Sequence, residues 1–132
     1  MDYVVLDTDV ASLIFRRRLP VPLSTRLADK TWCLTFVTVG EMIQWARLRN
    51  WSPRNESALG QWLTRCVMIE AGWEAARTWG YMCADGKRRG RTYPLNDSWT
   101  AACCITEGLP LATLNVKDFA DVVEHHGLTL LG

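Results

Sequence analysis

The side chains in this sequence best suited to act together in chemistry are four acids from separate segments. They are Asp7, Glu41, Asp97 and Asp118. Four ionised carboxylates do not lie close together without a cation, because like charges raise each other's pKa. Mg²⁺ or Mn²⁺ suits carboxylate oxygens, lowers the pKa of bound water and stabilises displacement at phosphorus. If the fold brings these acids together, the sequence predicts metal-dependent hydrolysis of a phosphodiester bond.

Segments typical of strands and of helices alternate along the chain, and this order predicts how the acids meet. The predicted strands are residues 3–6, 32–37, 67–69, 111–114 and 128–131. The predicted helices are approximately residues 9–18, 24–28, 38–49, 56–66, 73–83, 96–107 and 115–123. Alternation of this kind predicts the α/β class, with a mostly parallel sheet between two layers of helices.

Each of the four acids is predicted at the edge where the strands end. Asp7 follows the first strand, and Glu41 lies at the start of the helix after the second strand. Asp97 opens a later helix, and Asp118 follows the fourth strand, close to Asn115. Active sites of open α/β sheets form beyond the carboxyl ends of the strands. We therefore expect the acids to meet at one edge of the sheet.

Each acid also has an ordinary structural explanation when it is taken alone. Asp7 is a candidate helix N-cap, and Thr38 and Glu41 have the spacing of a capping box, with Thr38 as the N-cap. Asp97 suits the positive end of a helix dipole. An acid such as Asp118 is commonly a solvated surface residue. Only the four together favour a site.

Four short segments resemble the successive motifs of PIN domains, and more narrowly those of toxin ribonucleases of the VapC type. The segments are residues 5–10 (VLDTDV), 38–42 (TVGEM), 96–102 (NDSWTAA) and 113–119 (TLNVKDF). Their order and spacing match along nearly the whole chain. Each segment alone is a weak signal, whereas the four in order are fairly specific.

This resemblance implies a PIN-like three-layer α/β/α sandwich and a Mg²⁺- or Mn²⁺-dependent endoribonuclease. It also implies a toxin that a cognate antitoxin protein holds inactive, a homodimer and a bacterial cytoplasmic location. Asp7, Glu41 and Asp97 match the family's three main acids, and Asp118 matches the fourth. Water positioned by these carboxylates and the metal would be the nucleophile in RNA cleavage.

Four further residues are expected to support the site. They are Thr8, Asp9, Thr38 and Asn115. Thr38 would cap the helix that carries Glu41 and help to orient that acid. Asp9 departs mildly from the family, which more often has asparagine after the threonine. For Asp9 and Asn115, contact with the metal and a supporting or capping role both stay open.

Length and composition limit the other classes of protein. With 132 residues and a formal net charge of +1, the chain is expected to form a single domain over residues 1–132, without a global charge that attracts RNA or membranes. Neither a signal peptide nor a membrane helix is predicted. The cysteines, at positions 33, 66, 83, 103 and 104, are predicted to be free thiols in a reducing compartment.

Two basic segments and the many tryptophans leave several interpretations open. Residues 85–92 read as a polar loop whose basic part, residues 87–91, either grips phosphates or is simply solvated. Residues 16–18, three arginines, either complement a helix C-terminus or contact RNA or the antitoxin. Trp45, Trp51 and Trp62 lie where the resemblance implies contacts with a partner protein, although core packing is the commoner role.

Two other functions compete with a nuclease. The opening motif also resembles that of haloacid-dehalogenase-type phosphatases, in which Asp7 would be a nucleophile and Asp9 an acid. That alternative lacks the family's late paired acids and leaves Glu41 and Asp97 without a role. The second alternative is a PIN-like module that binds a partner and has lost catalysis.

Overall fold

A five-stranded parallel sheet forms the centre of the computed structural model, which describes residues 2–131. Its strands are β1 (Tyr3–Leu6), β2 (Thr31–Thr35), β3 (Val67–Ile69), β4 (Leu111–Ala112) and β5 (Leu130–Leu131). Their order across the sheet is β3-β2-β1-β4-β5, and all four pairings are parallel. Strand β1 is therefore central, which places its carboxyl end in the middle of the edge where the acids were predicted.

Seven helices connect and cover these strands. They are α1 (Thr8–Phe15), α2 (Val21–Leu27), α3 (Phe36–Leu48), α4 (Pro53–Arg65), α5 (Trp73–Arg88), α6 (Leu95–Glu107) and α7 (Val116–His126). A parallel sheet needs cover on both faces, because its strands are apolar on both sides.

The core is divided into two layers by the central strand. Val4 and Leu6 are fully buried on one face of β1, against helices α1 to α4. Val5 is fully buried on the opposite face, against α5, α6 and α7. Successive side chains of a strand point to opposite faces, so three consecutive apolar residues serve both layers. The predicted three-layer α/β/α sandwich with a parallel sheet is confirmed.

Several predicted boundaries were wrong for identifiable reasons. Strand β2 ends at Thr35, and Phe36 and Val37 belong to α3. An aromatic and a β-branched residue at these two positions had favoured a longer strand. Residues 85–88 are helical rather than a loop, and the glycine at position 86 marks a close approach of the Tyr93 ring to the helix instead of a break in it. Helix α1 ends at Phe15, before the three arginines.

Two other features bear on the sequence predictions. The chain's five cysteines are free thiols, as predicted. Helix α7 continues to His126, three residues beyond its predicted end, so both histidines lie in its last turn. Within residues 2–131 no helix combines the length and the apolar composition that crossing a membrane requires.

Candidate active site

Asp7 lies at the centre of the site, directly after the central strand, and caps helix α1. Its side chain is 7% exposed. Oδ1 accepts a hydrogen bond from the backbone N–H of Thr8 at 2.9 Å, and Oδ2 accepts one from the Thr113 hydroxyl at 2.8 Å. Burial raises the pKa of Asp7 to about 6, and the charges of Asp9 and Asp97 act in the same direction. The chain thus holds a carboxylate where burial and like charges disfavour its ionised form.

Glu41 is held in place from helix α1 by a chain of hydroxyl groups. The Thr8 hydroxyl donates to Glu41 Oε1 at 2.7 Å and lies 3.0 Å from the hydroxyl oxygen of Thr38. A threonine hydroxyl has a single proton, so Thr38 is the donor to Thr8. Thr38 is fully buried behind this contact. Its expected role in orienting Glu41 is therefore carried out through Thr8.

Thr38 is not the helix cap that the sequence predicted. Thr35 caps α3, and its hydroxyl accepts a hydrogen bond from the backbone N–H of Thr38 at 3.4 Å. Because the helix begins one turn earlier than expected, Glu41 lies in its second turn and no capping box forms. This shift frees the Glu41 carboxylate for contacts with other segments.

Asp97 and its neighbour Asn96 reach the same place from the first turn of α6. The Asn96 side-chain amide donates to Glu41 Oε2 at 3.2 Å, which links α6 to α3. Asp97 is half-buried. Burial raises the pKa of Asp97, and the charges of Asp118, Glu41 and Asp9 raise it further. Asp97 is thus within electrostatic reach of acids from three other segments.

Asp9 connects helix α1 to the segment that follows β4. One of its carboxylate oxygens accepts from the backbone N–H of Val10 at 2.7 Å, and the other accepts from that of Leu114 at 3.2 Å. Burial raises the pKa of this acid despite these two bonds. These contacts tie the start of α1 to the segment after β4, beside the other acids.

Asp118 is an exposed residue in the first turn of α7. Its backbone N–H donates to the carbonyl of Asn115 at 3.0 Å. Asn115 precedes the helix, but its side chain makes no capping bond. Asp118 meets the site through its charge on Asp97 rather than through a hydrogen bond. The fold therefore gathers the four predicted acids and Asp9 at one sheet edge.

Thr113 supports Asp7 although it was not among the residues predicted from the sequence. This fully buried residue follows β4, beside the carboxyl end of β1. Its hydroxyl donates to Asp7 and accepts from the backbone N–H of Asn115 at 3.0 Å. A hydroxyl residue at the end of the strand next to Asp7 is a signal that could have indicated this contact.

The donor set fits a hard divalent cation by its chemistry. All the converging groups are carboxylates, and within the described chain no Lys, Arg or His forms an ion pair with any of them. Among residues 2–131, however, no three Asp, Glu, His or Cys side chains stand close enough to form a ready-made metal site. The fit thus rests on oxygen ligands and uncompensated negative charge.

Comparison with known proteins agrees with this arrangement. The sequence pattern of the PIN domain family matches residues 4–124. Ribonuclease VapC2 of Haemophilus influenzae is 26% identical over 121 residues, which are 90% of this chain and 91% of the relative.

Solved structures share the fold at low sequence identity. VapBC2 from Rickettsia felis, bound to a DNA fragment of its promoter, has a TM-score of 0.83 and 19% identity over 98% of this chain and 97% of that chain. VapBC-5 of Mycobacterium tuberculosis has a TM-score of 0.72 and 23% identity over 99% and 98%. The match to the family pattern spans nearly the whole sequence and includes all four acids. The chain belongs to the PIN domain family.

Proposed function

We propose that this chain is a metal-dependent endoribonuclease, the toxin of a toxin–antitoxin pair. The observation that carries the proposal is the convergence of Asp7, Glu41, Asp97 and Asp118 from four separate segments, without a basic partner in the described chain. Charge repulsion at such a site is a cost to folding that a bound cation would offset.

The relatives support the choice of substrate and partner. The curated relative is named a ribonuclease, and the structural neighbour from Mycobacterium tuberculosis is described as a member of the VapBC family of toxin–antitoxin systems. We carry both properties over to this chain: RNA as the substrate and a cognate antitoxin as the partner. The homodimer, the single PIN domain over residues 1–132 and the cytoplasmic location remain predictions.

The four acids would hold Mg²⁺ or Mn²⁺ through their carboxylate oxygens. When bound, such an ion lowers the pKa of water and offsets the charge that develops on a phosphate during hydrolysis. The pKa values of Asp7 and Asp97 are raised, so a bound cation would stabilise the ionised forms of these two acids in particular. Thr8 and Asn96 fix the two oxygens of Glu41 and so limit its movement. Thr113 fixes Asp7 in the same way.

The test is cleavage of total cellular RNA by the purified protein with Mg²⁺ or Mn²⁺, beside a chelator control. Asp97→Asn removes a carboxylate without breaking a recorded hydrogen bond, and Asp29→Asn is the matched control at an exposed position away from the sheet edge. We expect metal-dependent cleavage that is lost in Asp97→Asn and kept in Asp29→Asn. Mapping the ends of the products identifies the preferred RNA.

The two alternatives predict different results. A binding module that has lost catalysis cleaves no RNA and binds no divalent metal. A phosphatase with Asp7 as nucleophile forms an acid-stable phosphoprotein from a phosphate monoester. The geometry disfavours the phosphatase, because that reaction gives no role to Asp97 and Glu41, which the fold brings close to Asp7.

A further inference from the structure

A pocket of about 370 Å³ opens directly beside the acid cluster, between helices α1 and α3. Its lining includes Asp9 and Glu41, near the starts of these helices. It also includes Arg16, Trp45 and Arg49, which lie toward the C-terminal ends of the same helices. One pocket thus carries both signs of charge, and its acids are shared with the proposed metal site.

Helical spacing explains this separation of charge. Trp45 follows Glu41 by one turn on the same face of α3, and Arg49, four residues further, is the C-cap of that helix. Arg16 follows Asp9 by seven residues along α1, as the C-cap of that helix. At 1.5 Å per residue, the eight residues from Glu41 to Arg49 correspond to about 12 Å. That distance suits a short run of nucleotides lying along the groove.

Trp45 contacts the guanidinium groups of both arginines. The guanidinium carbons of Arg16 and Arg49 lie 5.3 Å and 5.0 Å from the centre of its ring. The ring is itself fixed by an edge contact with Trp51, at 4.9 Å between centroids, and Trp51 stacks on Phe15 at 5.9 Å. The tryptophan is therefore a rigid support for the side chains of two arginines.

The charges of these two arginines are not neutralised by carboxylates. In the part of the chain that the structure describes, neither forms a salt bridge, and the Arg16 Nε donates only to the Ser12 carbonyl at 3.4 Å. By contrast, Arg47, also on α3, lies 3.5 Å from Glu56. Guanidinium groups with free donors are natural sites for phosphate oxygens.

We propose that this pocket is a subsite for the RNA strand, in which Arg16 and Arg49 each bind a backbone phosphate close to the one cleaved. The subsite deepens the proposed function and depends on RNA being the substrate. Phosphate contacts position a strand without reading its sequence. Arg16 and Arg49 therefore set affinity and register, and base preference arises elsewhere.

The test measures binding rather than cleavage. A fluorescent single-stranded RNA of ten random nucleotides is titrated with the protein in EDTA at several salt concentrations, and anisotropy gives the dissociation constant. We expect Arg16→Gln and Arg49→Gln each to weaken binding about tenfold at low salt. Each should also reduce the slope of log affinity against log salt by about 0.7, the value for one phosphate contact on a single strand.

Two control variants and a stability measurement separate this role from general effects. Arg54→Gln removes an exposed arginine of α4 that does not line the pocket, and should leave both the affinity and the salt slope near their original values. Arg16→Lys keeps the charge and should restore most of the salt slope. Thermal unfolding by circular dichroism should give similar melting temperatures for all variants.

The proposal is overturned if the wild-type protein shows no salt-dependent RNA binding, or if both glutamine variants bind RNA as the wild type does. It is also overturned if they weaken binding of a polyglutamate peptide but not of RNA, because the pocket then receives an acidic protein segment. Neither metal nor cleavage is needed. A failed nuclease assay with normal RNA binding would contradict the proposed catalysis and leave this subsite standing.

Discussion

Two clusters of charged residues in this small fold are built in opposite ways. At the sheet edge, Asp7, Glu41, Asp97 and Asp118 lie near one another without a recorded basic partner in the described chain. At the end of α5, by contrast, each carboxylate meets a cation or a hydroxyl group. The first cluster is organised around charges that repel, and the second around charges that attract.

Arg89 organises the second cluster. Its guanidinium donates to both oxygens of Asp121 at 3.0 Å, to the Tyr93 hydroxyl at 2.8 Å and to Asp85 at 3.3 Å. The Tyr93 hydroxyl also donates to Asp121. The Tyr93 bond, together with Arg89, holds the pKa of Asp121 below its ordinary value. These contacts join the end of α5, the segment before α6, and α7.

The difference distinguishes a structural cluster from a functional one. Arg89 lies within the basic segment that the sequence left open as a phosphate grip, yet Asp121, Tyr93 and Asp85 already occupy its donors. It therefore serves to hold the fold together. Proteins tolerate repelling charges mainly where a ligand will use them, so the acid cluster is the better candidate for chemistry.

Substitutions in the two clusters are expected to differ most in their effect on RNA cleavage. Asp7→Asn should reduce metal-dependent RNA cleavage by at least about 100-fold, because losing a ligand costs more than losing a residue behind it. Asp121→Asn should change the rate by less than about threefold, since its partners lie in the structural cluster. Initial rates on one RNA at saturating Mn²⁺ compare the two substitutions.

The distinction between the two clusters would be contradicted if Asp121→Asn reduced RNA cleavage more than Asp7→Asn does. A large loss of cleavage in Asp121→Asn, with the fold intact, would mean that the Arg89 cluster takes part in catalysis. Retained cleavage in Asp7→Asn would remove the central acid from the proposed metal site.

A smaller effect is expected from the hydroxyl group behind Asp7. Thr113→Val keeps the shape of this buried side chain but removes the donor to Asp7 Oδ2 and the acceptor for the Asn115 N–H. We expect Mn²⁺ affinity, measured by calorimetry, to fall about tenfold, the usual effect of losing a group that orients a metal ligand.

Thr106→Val is the matched control for this substitution. It also removes a threonine hydroxyl bond, to Thr78 at 2.9 Å, but that bond lies away from the acids. If both variants bound Mn²⁺ equally well, the contact between Thr113 and Asp7 would have no part in holding the metal.

Substitutions in the Arg89 cluster should lower the thermal stability of the protein. Asp121→Asn weakens the charged bonds to Arg89, so we expect the melting temperature to fall by about 3–6 °C with metal affinity unchanged. Asp97→Asn should instead raise the melting temperature in EDTA, because it removes one of the repelling charges. Differential scanning calorimetry of the two variants tests for opposite signs, and equal signs would contradict the comparison.

The sequence predicted the acids better than it predicted their supports. Asp7, Asp97 and Asp118 stand out because strand and helix periods place them at one edge of the sheet. The contact between Thr113 and Asp7 joins residues 106 positions apart, and only the pairing of β1 with β4 brings them together. Such pairing depends on tertiary structure, which local patterns do not contain.

Local sequence patterns gave wrong predictions for the cap of α3 and for the end of α5. Thr38 has the residue type and spacing of a cap, but Thr35 ends the buried strand and takes that position. Gly86 suggested a loop, whereas it is a helical position where the Tyr93 ring leaves no room for a side chain. In both cases tertiary packing decided between local alternatives of similar energy.

The smallest effect expected is a dependence of metal-free stability on pH. The pKa of Asp7 is about 6 in the folded protein and 3.8 ordinarily, so the folded state binds the proton more tightly than the unfolded state. Its contribution to the free energy of unfolding is fully present below the ordinary value and is lost as the pH rises through about 6. Lowering the pH from 7 to 5 should therefore increase the Asp7 contribution by about 1 kcal/mol.

Urea unfolding in EDTA at the two pH values, for the wild type and Asp7→Asn, isolates this contribution. His126, whose pKa burial lowers, opposes the gain, but it is present in both proteins and cancels in their difference. Asp121 has the opposite sign to Asp7, because its lowered pKa gives stability that is lost only at more acidic pH. If Asp7→Asn showed the same change between pH 7 and pH 5 as the wild type, Asp7 would not be the strained carboxylate that the acid cluster requires.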